Sequence, residues 1–173
     1  FRQRLGGKWN FSVEMHFACI LAILNIIQRI MTDLLDAKRT TVFDAKVLNL
    51  ARIDLDSGAL TAINSDDEVP FSIKRVYYLY DVPNKSDRGA HAHKELIQLV
   101  VAASGSFEIE LNDGINSKTF VLRQPDEGLL IPPGLWRDLK RFSGGAICLV
   151  LASEIYDEDD YLRKYEDFLK FKY

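Results

Sequence analysis

Two histidines dominate the chemistry open to this sequence. His91 and His93 are two positions apart, in Arg88-Gly89-Ala90-His91-Ala92-His93. On an extended strand, residues two apart project to the same face, so both imidazoles converge on one spot, the interior of whatever the strand encloses. A side chain with an unperturbed pKa of about 6.5 takes and returns a proton near neutrality, and two such groups can serve two adjacent carbons of a substrate. The bland alternative is a pair of surface histidines at a strand end. Arg75 and Tyr77 are also two apart, and if Ile73 and Leu79 at the same parity face inward, so do they. An inward guanidinium needs an anion or a carboxylate, because an unpaired buried charge is costly. A structural Arg–Glu pair would satisfy it equally. Arg88, Arg137 and Trp136 add cationic and aromatic surface suited to phosphates and a flat base, although Trp136 would serve as well in a core.

These residues need elements to hold them. From Asp44 onward, short apolar runs rich in Val, Ile, Phe and Tyr alternate with turn residues. Strands are predicted at Lys46–Ile53, Ala59–Asn64, Phe71–Tyr80, Ile97–Ala103, Ser106–Leu111, Lys118–Leu122, Gly128–Ile131 and Ala146–Leu151. Asn112-Asp113-Gly114 between two of them is a hairpin signal, because a positive φ costs these residues little. About eight strands at this spacing, with no helical period between them, predict an all-β sandwich or small barrel. In Tyr156–Tyr173 the pattern changes: Tyr161, Leu162, Tyr165, Phe168 and Leu169 recur at helical spacing. Asp157–Asp160 would load the first turn of that helix, and Lys170 and Lys172 its last, complementing the dipole. Such a helix would cover an open part of the barrel.

Composition excludes several classes. The chain of 173 residues is 47% hydrophobic and 27% charged, which is neither disordered nor fibrous. Its 22 basic and 25 acidic residues leave a formal charge of −3, against the basic surface that nucleic-acid binding needs. Cys19 and Cys148 lie far apart in apolar surroundings and form neither a disulfide framework nor a zinc spacing, so a cytoplasmic protein is expected. The apolar run Phe17 to Ile27 falls short of the ~18 residues that suggest a bilayer span, and no membrane partner is expected. Residues 1–30 read either as an amphipathic helix or as sequence upstream of a start at Met31. The organisation expected is an extension over 1–40 and one domain over 41–173.

The histidine stretch resembles the first motif of the cupin superfamily, Gly then His-x-His, a Glu and a later Gly. Gln98 stands at the Glu position, and Gly105 at the later glycine. Pro132-Pro133-Gly134-Leu135-Trp136-Arg137 resembles the second motif, with Arg137 in place of its histidine. A guanidinium there repels a divalent ion, and two neutral imidazoles seldom hold one tightly, so no metal is expected. With Pro70–Tyr78, Arg88–Lys94, Leu149–Ser153 and Tyr156–Tyr161 followed by Arg163, the chain over roughly 44–170 is similar to the TDP-4-keto-6-deoxyglucose 3,4-ketoisomerases.

That resemblance implies a cupin jelly-roll barrel, a homodimer whose subunits exchange N-terminal strands, and a dTDP-linked 4-keto-6-deoxy sugar as substrate. It implies no cofactor, in keeping with the absence of a glycine-rich dinucleotide loop from the sequence. By the same resemblance His91 and His93 are the acid–base residues, and Tyr77 and Arg75 sit in the sugar pocket. Arg88, Gln98, Trp136 and Arg137 complete the substrate contacts, and Arg at position 137 goes with a quinovose-type product. The keto group would move from carbon 4 to carbon 3 through an enediol, with His91 as principal base, His93 orienting it or relaying a proton, and Tyr77 hydrogen-bonded to the enediolate oxygen. The alternatives are a nucleotide-sugar epimerase, a non-catalytic sugar-binding cupin and, against Gln98 and Arg137, a metal-dependent cupin oxygenase.

Overall fold

The computed structural model describes residues 36–83 and 86–173. The reading of residues 1–30 lies outside them. Twelve strands follow in order among the described residues. They are β1 (Lys46–Asn49), β2 (Arg52–Leu55), β3 (Gly58–Thr61), β4 (Arg75–Leu79), β5 (Arg88–His93) and β6 (Gln98–Ser104), then β7 (Phe107–Asn112), β8 (Ser117–Leu122), β9 (Glu127–Ile131), β10 (Trp136–Lys140), β11 (Ile147–Ala152) and β12 (Tyr161–Leu162). One helix, α1 (Tyr165–Lys172), closes the chain.

Two five-stranded antiparallel sheets form the body, ordered β1-β9-β6-β11-β4 and β12-β5-β10-β7-β8. Strand β7 shows why: Phe107, Ile109 and Leu111 are buried while Glu108, Glu110 and Asn112 are half-exposed, the period-two pattern of a sheet wet on one side. Its inward residues meet Val100 and Ala102 of β6, Leu129 and Ile131 of β9, and Cys148 and Val150 of β11 in the main core between the sheets. This is the cupin jelly-roll barrel expected. Strand β6 is buried on both faces, because a second cluster, Leu50, Val69 and Phe71, covers Leu99, Val101 and Leu151 from outside.

The expected elements shift in three places. Lys46–Ile53 splits at Leu50, which turns into the second cluster, so Ile53 belongs to the separate hairpin β2–β3. Phe71 is likewise packing residue rather than strand, and β4 starts at Arg75. The helix is shorter than its pattern suggested: Glu158–Asp160 form a 3-10 turn and Tyr161–Leu162 pair with β5. Hydrogen bonding to a free sheet edge overrides the helical spacing there. The helix also covers a different surface from the one expected. It packs on the outer face of the second sheet, where Phe168 and Leu169 meet Ala92 and Trp136. Phe168 is fully buried and is worth about 1.5–3 kcal/mol by area. Lys172 anchors the helix end by donating to the carbonyls of Ala37 and Thr40.

Candidate active site

The site is built where β5 and β10 lose their regular register. Arg137 pairs with His91 but Asp138 pairs with Gly89, so Ala90 is left over as a bulge. Ala90 adopts φ +53, the left-handed region, and its N–H is held by Asp138 Oδ1 at 3.1 Å. Gly89, at φ +96, admits the opposing strand: a Cβ there would lie 2.6 Å from the Arg137 carbonyl oxygen. The strain of a left-handed alanine costs ~1–2 kcal/mol and re-aims His91 beside Arg137. At the far end of β5, Gly134 N–H donates to the His93 carbonyl at 2.7 Å. Position 134 must be glycine, since a Cβ would fall 1.8 Å from the Ala37 carbonyl oxygen.

Between the sheets lies a cavity of about 420 Å³. Its floor is apolar, with Val100, Ile131, Leu139 and Val150, and its polar wall carries Arg75, Tyr77, Arg88, His91, Gln98 and Arg137. Six of the eight expected site residues are thus brought together. His93 is inside the barrel but behind the cavity wall, with no exposed surface, its ring 4.9 Å from that of His91 in a T-shaped contact. Trp136 is not brought to the cavity. It is adjacent to Arg137 on β10, so the two must face opposite ways. Trp136 packs edge-on against Tyr165 at 5.2 Å and donates to Asp138 Oδ2 at 3.2 Å, on the outer face under α1.

Hydrogen bonds define the protons. His91 Nδ1 lies 3.0 Å from the Gly89 carbonyl; a carbonyl only accepts, so Nδ1 carries the hydrogen and Nε2 keeps its lone pair. His93 Nδ1 lies 2.7 Å from Asp160 Oδ2. Asp160 Oδ1 accepts from the backbone of Lys94 and Glu95 at 3.0 and 2.7 Å. Burial works against the Asp160 carboxylate, but these hydrogen bonds, His93 first, prevail and hold its pKa below the usual value. His93 Nε2 is buried without a partner.

Burial lowers His91 to about 4, with Arg137 acting in the same direction. Burial lowers His93 to about 3 against the opposing pull of Asp160. Both imidazoles are therefore neutral at pH 7, and the His93–Asp160 contact is a hydrogen bond from a neutral ring to a carboxylate rather than an ion pair.

The cavity is also cationic. Arg137 is buried, and burial lowers it to about 10. It donates to Gln98 Oε1 and to the Leu135 carbonyl, and no carboxylate pairs with it among the described residues. Arg75 has none either: its guanidinium sits over the rings of Tyr77 and Tyr156 at 5.1 and 5.5 Å, with Nε buried and unpartnered. Of the two ways to satisfy an inward Arg75, the structural Arg–Glu pair is not found among the described residues. No group of three or more metal-ligating side chains occurs among the described residues, and a site carrying two cations repels a divalent ion.

Sequence reasoning missed Asp160, Tyr156, Tyr161 and Arg163. Tyr156, Tyr161 and Arg163 line the cavity mouth, and Arg163 lies over the Tyr161 ring at 4.2 Å. The available signal was the interleaving of tyrosine and arginine with the acidic run, which a helix first turn does not need.

A jelly-roll barrel enclosing a neutral imidazole pair beside arginines suits acid–base chemistry on an anionic substrate, and the comparisons with known proteins place the chain in the class of cupin-type sugar isomerases. The sequence model described as FdtA: WxcM-like, C-terminal matches residues 43–173. A TDP-4-oxo-6-deoxy-alpha-D-glucose-3,4-oxoisomerase from Aneurinibacillus thermoaerophilus is 42% identical over 126 residues, 73% of this chain and 91% of that protein. Among solved structures, a 3,4-ketoisomerase from Helicobacter canadensis shares 46% identity at a TM-score of 0.73, over 75% of this chain and 97% of that one. The WlaRB TDP-quinovose 3,4-ketoisomerase from Campylobacter jejuni shares 49% identity at a TM-score of 0.70, over 73% of this chain and 97% of that one. The chain belongs to the FdtA family of sugar 3,4-ketoisomerases, and it is an enzyme.

Proposed function

We propose that this enzyme moves the keto group of dTDP-4-keto-6-deoxyglucose from carbon 4 to carbon 3 by histidine acid–base catalysis through an enediol. The observation that carries the reading is the His91 ring in the cavity wall with an unprotonated Nε2. The ketone at carbon 4 acidifies the proton on carbon 3. His91 Nε2 removes it, leaving an enediolate, and the resulting imidazolium protonates carbon 4. The hydrogen of the carbon 3 hydroxyl passes to the oxygen on carbon 4, so that atoms balance. His93, shut off from the cavity and tied to Asp160, orients His91 rather than carrying the relay. Tyr77 donates to the oxygen on which charge develops, and Arg75, Arg88 and Arg137 supply the positive field for a sugar diphosphate.

An imidazole held near 4 in the free enzyme is a weak base for a carbon acid. Binding a dianionic diphosphate beside it raises its pKa by adding negative charge, which makes the base stronger only when substrate is present. The identity to the TDP-quinovose enzyme, together with arginine at 137, supports a quinovose-type product. Incubating the protein with dTDP-4-keto-6-deoxyglucose and following proton NMR tests the reading. New 3-keto sugar resonances are expected; an unchanged spectrum would remove it.

The same proposal extends to a cytoplasmic homodimer with exchanged N-terminal strands, supplying precursors of 3-amino-3,6-dideoxy sugars for surface polysaccharide such as lipopolysaccharide O-antigen. The edge strand β4 presents Val76 and Tyr78 outward, and the β2–β3 hairpin exposes Ile53, Leu55 and Leu60, apolar surface that a second copy would cover. Light scattering of the purified protein should give twice the chain mass, and a monomer mass would remove the dimer.

A further inference from the structure

The deepest polar chain in the cavity crosses three strands and has a direction. Arg137 on β10 donates to Gln98 Oε1 on β6. Gln98 in turn donates through Nε2 to the Tyr77 hydroxyl on β4 at 2.8 Å. A guanidinium has no acceptor, so it dictates which end of the amide faces it. With the amide oxygen turned to Arg137, the NH₂ must face Tyr77. An amide NH₂ cannot accept, so the phenolic oxygen does, and the hydroxyl's own proton is left over. Tyr77 O–H makes no other hydrogen bond among the described residues, and the ring lines the cavity. Gln98 and Arg137 are each 2% exposed, so both links of the chain are buried.

We propose that Arg137 and Gln98 are positioning residues that hold Tyr77 as a hydrogen-bond donor aimed into the cavity, at a substrate oxygen that accepts as ketone or enediolate. The inference rests on the isomerase reading for the identity of that oxygen. Gln98, expected from the sequence among the substrate contacts, then acts through Tyr77 instead. A donor-only cation at the head of the chain polarises each link after it, and Arg137 brings its charge unneutralised. The cavity is thereby supplied with a donor whose orientation is set before substrate arrives, the arrangement that stabilises developing charge without reorganisation.

Gln98→Glu tests this. The carboxylate nearly matches the amide in shape but only accepts, so it takes hydrogen bonds from both Arg137 and Tyr77 and turns the Tyr77 proton away from the cavity. With dTDP-4-keto-6-deoxyglucose, kcat should fall roughly tenfold to hundredfold while KM stays within about twofold. Tyr77→Phe should lose a similar amount, and the double variant no more than either alone. A raised KM with unchanged kcat, or losses that multiply in the double variant, would overturn the assignment.

A second readout needs no substrate. In protein labelled with ¹³C at tyrosine Cζ, the Tyr77 signal, identified by its loss in Tyr77→Phe, should titrate at higher pH in Gln98→Glu than in wild type. Arg137, Arg75, Tyr161 and Cys148 also face that hydroxyl, and the new carboxylate raises its titration by charge alone, so Gln98→Met, which adds no charge, must move the signal the same way. An equal or lower titration would overturn the proposal. Should Gln98→Glu not fold, Gln98→Met removes the donor without adding charge and predicts the same upward movement. If the Tyr77 signal moves as expected but wild type leaves the sugar untouched, the hydrogen-bond direction stands and the isomerase reading falls.

Discussion

The space between the two sheets is divided between a filled region and a hollow one. In the filled region Phe107 stacks on Phe142 with centroids 5.1 Å apart, and Ile109, Leu111, Leu122 and Leu129 complete a core without polar groups. In the hollow one the same sheets surround a cavity with one buried and one half-buried arginine that lack carboxylates among the described residues, a buried imidazole nitrogen without a partner behind its wall, and a left-handed alanine. Each of these features costs stability locally. The filled region offsets them, so folding energy and chemistry are segregated within one barrel. Substitutions should therefore separate into those that move stability and those that move turnover.

The strongest way to break this division is Phe107→Ala, which should cost about 3–5 kcal/mol of unfolding free energy with kcat per folded molecule unchanged. Chemical denaturation and active-site normalised rates check both halves. A large fall in kcat of the folded fraction would mean that the regions are coupled. The mirror image is His91→Asn: turnover should drop by at least about two to three orders of magnitude, the usual worth of a general base, with an unfolding midpoint equal to or above wild type. Near-normal turnover would remove His91 from its role.

Asp160→Asn sharpens the same side. An amide can donate to His93 Nδ1 and favour the other tautomer, so His91 loses its fixed neighbour. Turnover should fall roughly tenfold to hundredfold, without the KM change expected of a residue that touches substrate. Trp136→Phe sits on the outer face and should cost only about 1–2 kcal/mol, leaving kcat and KM alone. A raised KM would return Trp136 to the substrate contacts.

Acid pH links the two regions. The unfolded chain protonates its histidines from about 6.5 downward, whereas folded His91 and His93 resist until about 4 and 3. The folded state thus binds fewer protons in this window. Stability is full above pH 6.5 and is lost as pH falls toward 4, by ~2–4 kcal/mol between pH 6.5 and 5. Denaturation curves at pH 7 and pH 5 should show the drop. The acid limb of kcat/KM in the free enzyme should lie near 4, and a limb near 6.5 would mean that His91 is not buried in this way.

Much of the site was legible because it is local. His-x-His parity, the shared face of Arg75 and Tyr77, and the alternation in β7 each follow from spacing of two along one strand. What escaped notice is non-local or competes with a local rule. Asp160 meets His93 across 67 positions of sequence, and its acidic neighbourhood fits a helix first turn as well as a 3-10 turn. Strand β10 was not anticipated because Trp136-Arg137-Asp138-Leu139 alternates with the cation inward and the indole outward, the reverse of what polarity suggests. Only the unneutralised cavity and the helix on the outer face make that inversion intelligible.

The central claim is that one imidazole carries hydrogen between neighbouring carbons of the sugar. Turnover of dTDP-4-keto-6-deoxyglucose in deuterium oxide, read by proton NMR, tests it most directly. Wild type should yield 3-keto product with deuterium at carbon 4, in part or in full, and His91→Asn should yield neither product nor label at carbon 3 of recovered substrate. Label entering the sugar at the wild-type rate in the absence of His91 would contradict the account.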